Sequence, residues 1–245
     1  MQILIANDDG IQSPGLKALA EAVTRLGEVT VVAPDRNRSG TSHAITVERT
    51  LQATDYGERW YGLDGTPADC IQVGVRQILP TLPDLVITGI NAGANLAEDI
   101  YYSGTVGAAR EAVLHGIPAL AISLAGEPPW HFETAARFAT VLAGQWRTRL
   151  LPRSTFLNIN VPNGPIFAIK TPVVTRTGRR PRPSRVAGGP VTGAAFWRPH
   201  PGASEKRYME DFQAVAAGHV SVTPLHIDAF FDEAMEELAK WPTFL

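Results

Sequence analysis

The chain opens with an uninterrupted apolar run that ends at a polar turn. Residues 3–6 have the sequence ILIA, and Asn7, Asp8, Asp9 and Gly10 follow directly. Consecutive apolar residues without polar alternation predict a strand buried on both faces, as in a parallel sheet covered by helices. Ligands of open α/β sheets bind beyond the carboxyl ends of the strands, so two adjacent carboxylates lie where a site is expected. A solvated Asx turn is the alternative interpretation.

Strand and helix patterns alternate along the rest of the chain. Helices are predicted to start at Pro14, with Ser13 as N-cap, and at Pro67, with Thr66 as N-cap and Asp69 completing a capping box. The other predicted strands are 29–33, 85–88, 117–123, 156–161 and 214–225, and the other predicted helices are 106–115, 132–150 and 228–240. Residues 41–65 are irregular and predict a hairpin or an excursion from the core. This alternation predicts an α/β fold of the doubly wound type.

Composition narrows the class of protein. A net charge of -2 and a pI near 6.3 argue against a nucleic-acid coat and against a membrane-surface protein. One cysteine, Cys70, excludes an intramolecular disulfide and a cysteine-rich zinc site, and we interpret it as a small core residue. The sequence has no signal-peptide pattern, and no run approaches the ~20 apolar residues of a membrane span, so we expect a cytoplasmic protein.

Oxygen-bearing side chains follow the first three predicted central strands. They are Asp8 and Asp9 after the first strand, Ser39 after the second and Asn91 after the third. Carboxyl ends of parallel strands meet at one edge of a sheet, so these side chains are expected to converge. Two carboxylates, a hydroxyl and an amide suit an octahedral divalent cation such as Mg²⁺ or Mn²⁺.

A helix N-terminus is predicted near the same edge. Ser103 or Thr105 can cap the helix at 106–115, with Gly104 between them. Free backbone N–H groups and the positive end of the helix dipole favour an anion there. A cation beside an anion site predicts metal-assisted phosphoester hydrolysis, in which a water is activated. Neither a Walker A loop nor a complete G-x-G-x-x-G motif is present, which argues against P-loop ATPases and simple Rossmann dehydrogenases.

Beyond residue 162 the sequence is rich in Pro, Gly and Arg. Five arginines lie within ten residues: Arg176, Arg179, Arg180, Arg182 and Arg185. Such a cluster can bind substrate phosphates, an acidic partner or nucleic acid. A solvated or disordered loop is the interpretation we prefer.

Several motifs together resemble one known family. They are ILIANDDGI, VVAPDRNRSG, GTPADC, GINAGANLAEDIYY, SGTVGAAREA, NINVP and AGHVSVTPL, spread from residue 3 to about residue 225. The combination resembles the SurE family, the survival-protein nucleotidases. The resemblance implies a Rossmann-like three-layer core with a mainly parallel sheet, a small β extension and a C-terminal oligomerisation segment. We accordingly divide the chain into a catalytic core at 1–165 and an extension with the C-terminal segment at 166–245, within one continuous domain.

The resemblance also implies an activity and an assembly. The activity is hydrolysis of nucleoside 5′- or 3′-monophosphates, which makes the chain a phosphoric monoester hydrolase of the 5′-nucleotidase type. One divalent cation per subunit, Mg²⁺ or Mn²⁺, is the implied cofactor. The implied assembly is a homodimer or homotetramer, without a membrane or a nucleic acid as partner.

Individual positions take roles from the same resemblance. The implied metal ligands are Asp8, Asp9, Ser39 and Asn91, the set reached above from the strand ends. The implied phosphate-binding residues are Asn95, Ser103, Gly104 and Thr105. Asn7 matches a position beside the metal and is a candidate catalytic residue, with core packing or a backbone hydrogen bond as the alternative. Asp8 is our preferred acceptor for the proton of the attacking water.

Two stretches depart from the family pattern. His43 lies where small polar residues are usual, and it either contacts the substrate or faces solvent. Residues 182–197 keep Phe196 and Trp197 but insert Gly188, Gly189 and Pro190. Base preference and subunit contacts in that region therefore stay open.

Rival functions differ in the residues they need. Haloacid-dehalogenase-type phosphatases use the first residue of an Asp-x-Asp pair as nucleophile, and Asn7 cannot form that acyl phosphate. Zinc deacetylases with a Pro-Asp-Asp turn need histidine ligands, which the turn at 7–9 lacks. Two alternatives stay open: a broad acid phosphatase or exopolyphosphatase using the same site, and a non-enzymatic nucleotide- or RNA-binding stress module using the arginine cluster.

Overall fold

The computed structural model describes residues 1–146, 151–179, 208–230 and 232–241. Its strands are β1 Gln2–Ala6, β2 Glu28–Pro34, β3 Ala53–Asp55, β4 Trp60–Leu63, β5 Leu85–Ala92, β6 Ala119–Ala125, β7 Thr155–Pro162, β8 Lys170–Val174 and β9 His219–His226. Its α-helices are α1 Pro14–Val23, α2 Pro67–Val73, α3 Gly104–Leu114, α4 Phe132–Trp146, α5 Asp211–Ala216 and α6 Asp232–Leu238. A π-helical turn extends α2 over Gly74–Ile78, and a 3₁₀ turn at Ala97–Tyr101 precedes α3.

The nine described strands form a single sheet in the order β3-β4-β2-β1-β5-β6-β7-β9-β8. Six neighbouring strands are parallel: β4, β2, β1, β5, β6 and β7. At one side of these six, β3 runs antiparallel to β4, and at the other side β9 runs antiparallel to β7. Ile5 aligns with Val31 on one neighbour and with Ile87 on the other. This register brings the carboxyl ends of β1, β2 and β5 to one edge. The mainly parallel α/β fold predicted from the sequence is confirmed.

Both faces of the sheet are covered. Ile3 and Ile5 of β1 pack into a core shared with α1 and α4, whereas Leu4 and Ala6 pack into a second core shared with α2 and α3. All four side chains are buried, which confirms the prediction of a doubly covered first strand. Parallel strands buried in this way provide a rigid base for the loops at their ends.

The two predicted helix starts are confirmed. The Ser13 hydroxyl accepts the Leu16 N–H at 3.3 Å, with Pro14 in the first turn of α1. At α2, the Thr66 hydroxyl accepts the Asp69 N–H at 3.1 Å, while Asp69 Oδ2 accepts the Thr66 N–H at 2.9 Å. Reciprocal bonds of this kind satisfy backbone donors that have no partner inside the helix.

The C-terminal part differs from the prediction in its details. The predicted strand at 214–225 is wrong in its first half, because residues up to Ala216 belong to α5 and the strand begins only at His219. Gly218, at a φ of +84°, separates the two. A short alanine-rich apolar run is compatible with either element, so periodicity could not decide between them. Strand β8 was not predicted.

Other predicted elements are confirmed with shifted limits. The hairpin expected within 41–65 consists of β3 and β4, and the C-terminal helix is shorter than expected. In the helix predicted at 132–150, α4 ends at Trp146 and residues 147–150 lie outside the described ranges. Three arginines of the predicted cluster, Arg180, Arg182 and Arg185, also lie outside the described ranges, as does the stretch 182–197 that departs from the family pattern. No helix within the described residues has the length and apolar character needed to cross a lipid bilayer.

Candidate metal and phosphate site

A cavity of about 720 Å³ lies at the carboxyl edge of the sheet. Its lining includes five of the residues singled out from the sequence: Asp8, Ser39, Asn91, Asn95 and Ser103. Asp8 and Ser39 lie in the loops after β1 and β2, and Asn91 lies near the end of β5. Asn95 lies in the loop after β5, and Ser103 directly precedes α3. The fold therefore brings together positions that span 96 places in the sequence, from 8 to 103.

Asp8 is the most deeply placed carboxylate of the cavity, at 3 % exposure. Its Oδ1 accepts the Thr105 hydroxyl at 2.5 Å. Burial raises the pKa of Asp8, while the Thr105 hydroxyl and the backbone N–H groups of Thr105 and Gly104 oppose that rise. The start of α3 thus favours the charged form of a carboxylate, whereas burial disfavours it.

Gly104 permits this contact because it has no side chain. A Cβ at this position would lie 2.8 Å from Asp8 Cβ and 3.0 Å from Pro67 Cγ. Both neighbours are buried, so neither has room to move away. The glycine is therefore required by close packing of the helix start against Asp8.

Asp9 connects the ends of two neighbouring strands. Its Oδ2 accepts the Ala92 N–H at 3.2 Å, which joins the turn after β1 to the end of β5. Burial, followed by the adjacent charge of Asp8, raises the pKa of Asp9 to about 6. In the described part of the chain, no lysine, arginine or histidine contributes to lowering the pKa of either carboxyl. Two adjacent carboxyl groups without a cation are the arrangement that a bound divalent ion would stabilise.

Ser39 and Asn91 offer neutral oxygen atoms to the same cavity. Asn91 Nδ2 donates to the Gly93 carbonyl at 2.9 Å, and this bond orients the carboxamide. Among the described residues, neither Asn91 Oδ1 nor Ser39 Oγ takes part in a hydrogen bond within the protein. Both atoms are therefore free to act as ligands.

The loop that contains Ser39 is held against Asp8 and α3. The Arg38 N–H donates to the Asp8 carbonyl at 2.7 Å, and the Ser42 N–H donates to the Tyr102 carbonyl at 3.0 Å. His43 Nε2 lies 2.7 Å from Glu111 Oε2 on α3. His43 therefore makes a definite contact with a buried carboxylate, and this contact lowers the pKa of Glu111.

The predicted phosphate-binding residues occupy different positions. Asn95 and Ser103 line the cavity, and the Ser103 hydroxyl caps α3 by accepting the Val106 N–H at 3.1 Å. Thr105 is fully buried and its hydroxyl is directed to Asp8. Gly104 is packed against the same carboxylate. That these residues contact the phosphate directly stays a prediction. The geometry gives Gly104 and Thr105 an additional role, because both contact the Asp8 side chain and hold it in place.

Asn7 is bonded within its own turn. Its Nδ2 donates to the Gly10 carbonyl at 3.1 Å and to the Ser13 hydroxyl at 2.7 Å, and its Oδ1 accepts the Gly10 N–H at 3.2 Å. These bonds join the turn after β1 to the N-cap of α1. They correspond to the backbone-bonding alternative for Asn7, whereas a catalytic role stays a prediction.

The donor set fits a hard divalent cation. Within the described ranges, no group of three or more His, Cys, Asp or Glu residues could hold a metal ion. The candidate set instead combines two carboxylates with a hydroxyl and a carboxamide. Mg²⁺ and Mn²⁺ accept such ligands and usually retain water, whereas a structural zinc site would need sulfur or imidazole.

Comparison with known proteins identifies the family. The family model described as survival protein SurE matches residues 3–183. The chain belongs to the SurE family. A protein of Pelobacter propionicus named 5′-nucleotidase SurE is 46% identical over 248 residues, which cover 98% of this chain and 99% of the relative. The 5′-nucleotidase SurE of Geotalea daltonii is 44% identical, with all of both chains covered.

A solved structure of the SurE family has the same fold. The SurE protein of Aquifex aeolicus superposes with a TM-score of 0.86 at 40% sequence identity, and 98% of each chain is covered. The match extends beyond the core to β8, β9 and the described C-terminal residues, because it covers almost the whole chain. It confirms the resemblance inferred from the motifs and the α/β fold of this chain.

Sequence reasoning missed two aromatic residues of the cavity. Tyr102 and Phe212 both line it, one from the segment before α3 and the other from α5. Tyr102 lies next to Ser103 in the sequence and could have been found by its proximity to the predicted helix start. Phe212 had no such signal. It lies just before the predicted strand at 214–225, more than 100 residues after Ser103.

Proposed function

We propose that this chain is a divalent-metal-dependent nucleotidase that hydrolyses nucleoside 5′-monophosphates to nucleoside and phosphate. The observation that supports this most strongly is the convergence of Asp8, Asp9, Ser39 and Asn91 at one sheet edge, beside the start of α3. The names of the full-length SurE relatives support the 5′-nucleotidase activity. Activity towards 3′-monophosphates is a further part of the proposal.

Each residue of the set has a distinct task in this proposal. Asp8 and Asp9 supply the negative charge that holds the cation, while Ser39 Oγ and Asn91 Oδ1 complete the protein ligands. When bound, Mg²⁺ or Mn²⁺ supplies Lewis-acid polarisation of the phosphoryl group and lowers the pKa of water. Asp8 is the proposed proton acceptor, because its position is fixed by Thr105 and its pKa is raised by burial.

The cavity also supports a nucleoside as the leaving group. Its volume of about 720 Å³ falls within the ~300–1,000 Å³ typical of small-molecule sites. Tyr102 and Phe212 provide aromatic surfaces on which a nucleobase can stack. Asn95 and Ser103 line the same cavity and provide polar contacts for phosphate. This combination favours a nucleotide over inorganic polyphosphate.

The proposal is tested by phosphate release from 5′- and 3′-nucleoside monophosphates, inorganic polyphosphate and an aryl phosphate. We expect turnover of the 5′-monophosphates with Mn²⁺ or Mg²⁺ and none with a chelator. Asp9→Asn should abolish turnover, because it removes one of the two charges at the site. Asp84→Asn is the matched control, since Asp84 accepts the Gln2 N–H at the opposite end of β1 and β5. Full activity in the chelator would refute the proposal.

A further inference from the structure

Asp211, the first residue of α5, is a buried carboxylate that the proposed chemistry does not use. It is 0% exposed, and burial raises its pKa. Both of its oxygens accept backbone N–H groups: Oδ2 accepts Ala97 at 2.8 Å, and Oδ1 accepts Gly178 at 3.0 Å and Phe212 at 2.8 Å. A buried carboxylate is costly unless its oxygens are satisfied, so its presence requires a structural purpose.

One of its partners lies in the wall of the cavity. Ala97 lines the cavity and has a φ of +51°, a left-handed conformation that costs a non-glycine residue about 1–3 kcal/mol. Such a conformation persists only where surrounding contacts determine it. The bond from the Ala97 N–H to Asp211 is a contact of this kind, and it joins residues that are 114 positions apart.

Two residues away, Asn95 is held from the sheet. Asn160 of β7 bonds the Asn95 backbone twice, accepting its N–H at 2.8 Å and donating to its carbonyl at 3.0 Å. Asn158 Nδ2 donates to the same carbonyl at 2.8 Å, and Asn95 Nδ2 donates to Ser123 Oγ at 2.8 Å. Asn158 and Asn160 lie two residues apart on one strand, which places both on the same face of the sheet.

Phe212, the residue after Asp211, is a second link between Asp211 and the cavity. The ring lines the cavity, and it packs directly against Gly178, where an added Cβ would overlap Phe212 Cε1. Asp211 Oδ1 fixes the backbone of both residues. One carboxylate therefore determines the relative positions of Ala97, Gly178 and Phe212.

We infer that Asp211 and Asn160 are positioning residues that fix segment 95–97 and Phe212 around the substrate. Asp211 acts on the wall through Ala97, and Asn160 acts on it through Asn95. Neither residue acts on the reacting atoms directly. The inference rests on the proposed function for its consequence in catalysis, whereas the fixing of the segment can be measured independently.

The structural part is tested by hydrogen exchange, read by mass spectrometry on peptides that cover residues 93–101. Asp211→Asn replaces one accepting oxygen with an NH₂ group, and Asn160→Ala removes both bonds to the Asn95 backbone. We expect each variant to accelerate exchange in this segment by about tenfold or more, because the freed N–H groups lose their acceptors. Thr175→Val is the control: it removes a buried hydroxyl that bonds Ser221 and Thr223, without a contact to the cavity.

The catalytic part is tested by steady-state kinetics with a nucleoside 5′-monophosphate at saturating Mn²⁺. Both variants should raise KM by about tenfold or more, because the wall no longer holds the substrate in place. The kcat should change by less than about threefold, since the carboxylates at the ends of β1 are untouched. Thr175→Val should lower the melting temperature while leaving KM unchanged.

The outcomes separate this inference from the proposed function. Unchanged exchange at 93–101 in both variants would overturn the inference, as would accelerated exchange with an unchanged KM. The same rise in KM in Thr175→Val would also overturn it, because general destabilisation would then be the cause. If Asp211→Asn does not fold, hydrogen exchange at 93–101 and the KM of Asn160→Ala test the inference. A wild-type protein without nucleotidase activity would refute the proposed function, and hydrogen exchange alone would then decide the positioning role.

Discussion

The Thr105 hydroxyl donates a 2.5 Å hydrogen bond to Asp8 Oδ1, and both residues are buried. This bond connects the start of α3 to the end of β1. It opposes the rise in the pKa of Asp8 that burial causes. The bond therefore favours the charged form of a carboxylate that is almost removed from solvent, and the charged form is the one that binds a metal ion.

Replacing Thr105 by valine tests the importance of this bond. The substitution preserves the shape but removes the donor, so we expect the charged form of Asp8 to be disfavoured. A hydrogen bond to a charged group contributes about 1.5–3 kcal/mol, which corresponds to a loss of about 10- to 150-fold in kcat/KM. Thr105→Ser is the control, since it keeps the hydroxyl and should retain most of the activity. Equal kinetics for valine and wild type would show that Asp8 does not need the bond.

Gly104→Ala tests the close packing of α3 against Asp8. The new Cβ would lie 2.8 Å from Asp8 Cβ, so the carboxylate or the helix start must shift. A displacement of about 1 Å at a reacting group can cost about a hundredfold in rate, and we expect a loss of that order in kcat/KM.

Gly144→Ala is the matched control for that variant. Gly144 lies within α4, and an added Cβ would meet Leu26 Cδ2 at no less than 3.8 Å. Because alanine is the better helix former, this control should raise stability by about 0.5–1 kcal/mol and leave kcat/KM unchanged. Wild-type kinetics in Gly104→Ala would contradict the packing argument.

The contact between His43 and Glu111 predicts a pH dependence of stability. The pKa of Glu111 is lowered from 4.5, chiefly by the His43 hydrogen bond. A carboxyl whose folded pKa lies below its unfolded value binds fewer protons when folded, so its contribution is complete above about pH 4.5 and decreases as the pH falls through the folded pKa. Denaturant unfolding of wild type and Glu111→Gln should therefore differ most near neutral pH, and the difference should shrink below pH 4.5. A difference that grows on acidification would contradict this assignment.

The fold and the candidate metal site differ in how far the sequence determines them. The run at 3–6 predicted a strand covered on both faces, and the polar residues after it, with Ser39 and Asn91, predicted a shared edge because parallel strands end together. In contrast, nothing local to Thr105 indicates that its hydroxyl bonds Asp8, 97 positions away. Side-chain contacts across such separations depend on the packing of whole elements.

The C-terminal part was harder to predict for a related reason. The apolar residues from 214 onward have no clear period, so the boundary between α5 and β9 could be recognised only from Gly218. The bond from Ala97 to Asp211 joins two such poorly patterned regions. A strained backbone residue and its buried acceptor leave no periodic signal in the sequence, and only the folded chain reveals their relationship.

Calorimetric titration of Mn²⁺ into the purified chain tests the central claim most directly. Wild type and Asp84→Asn should each bind one ion per chain with the same affinity, because Asp84 lies at the far end of the strands. Asp9→Asn should bind at least about tenfold more weakly, since one of two carboxylate ligands has lost its charge. Equal Mn²⁺ affinity in wild type and Asp9→Asn would contradict a metal site at the end of β1.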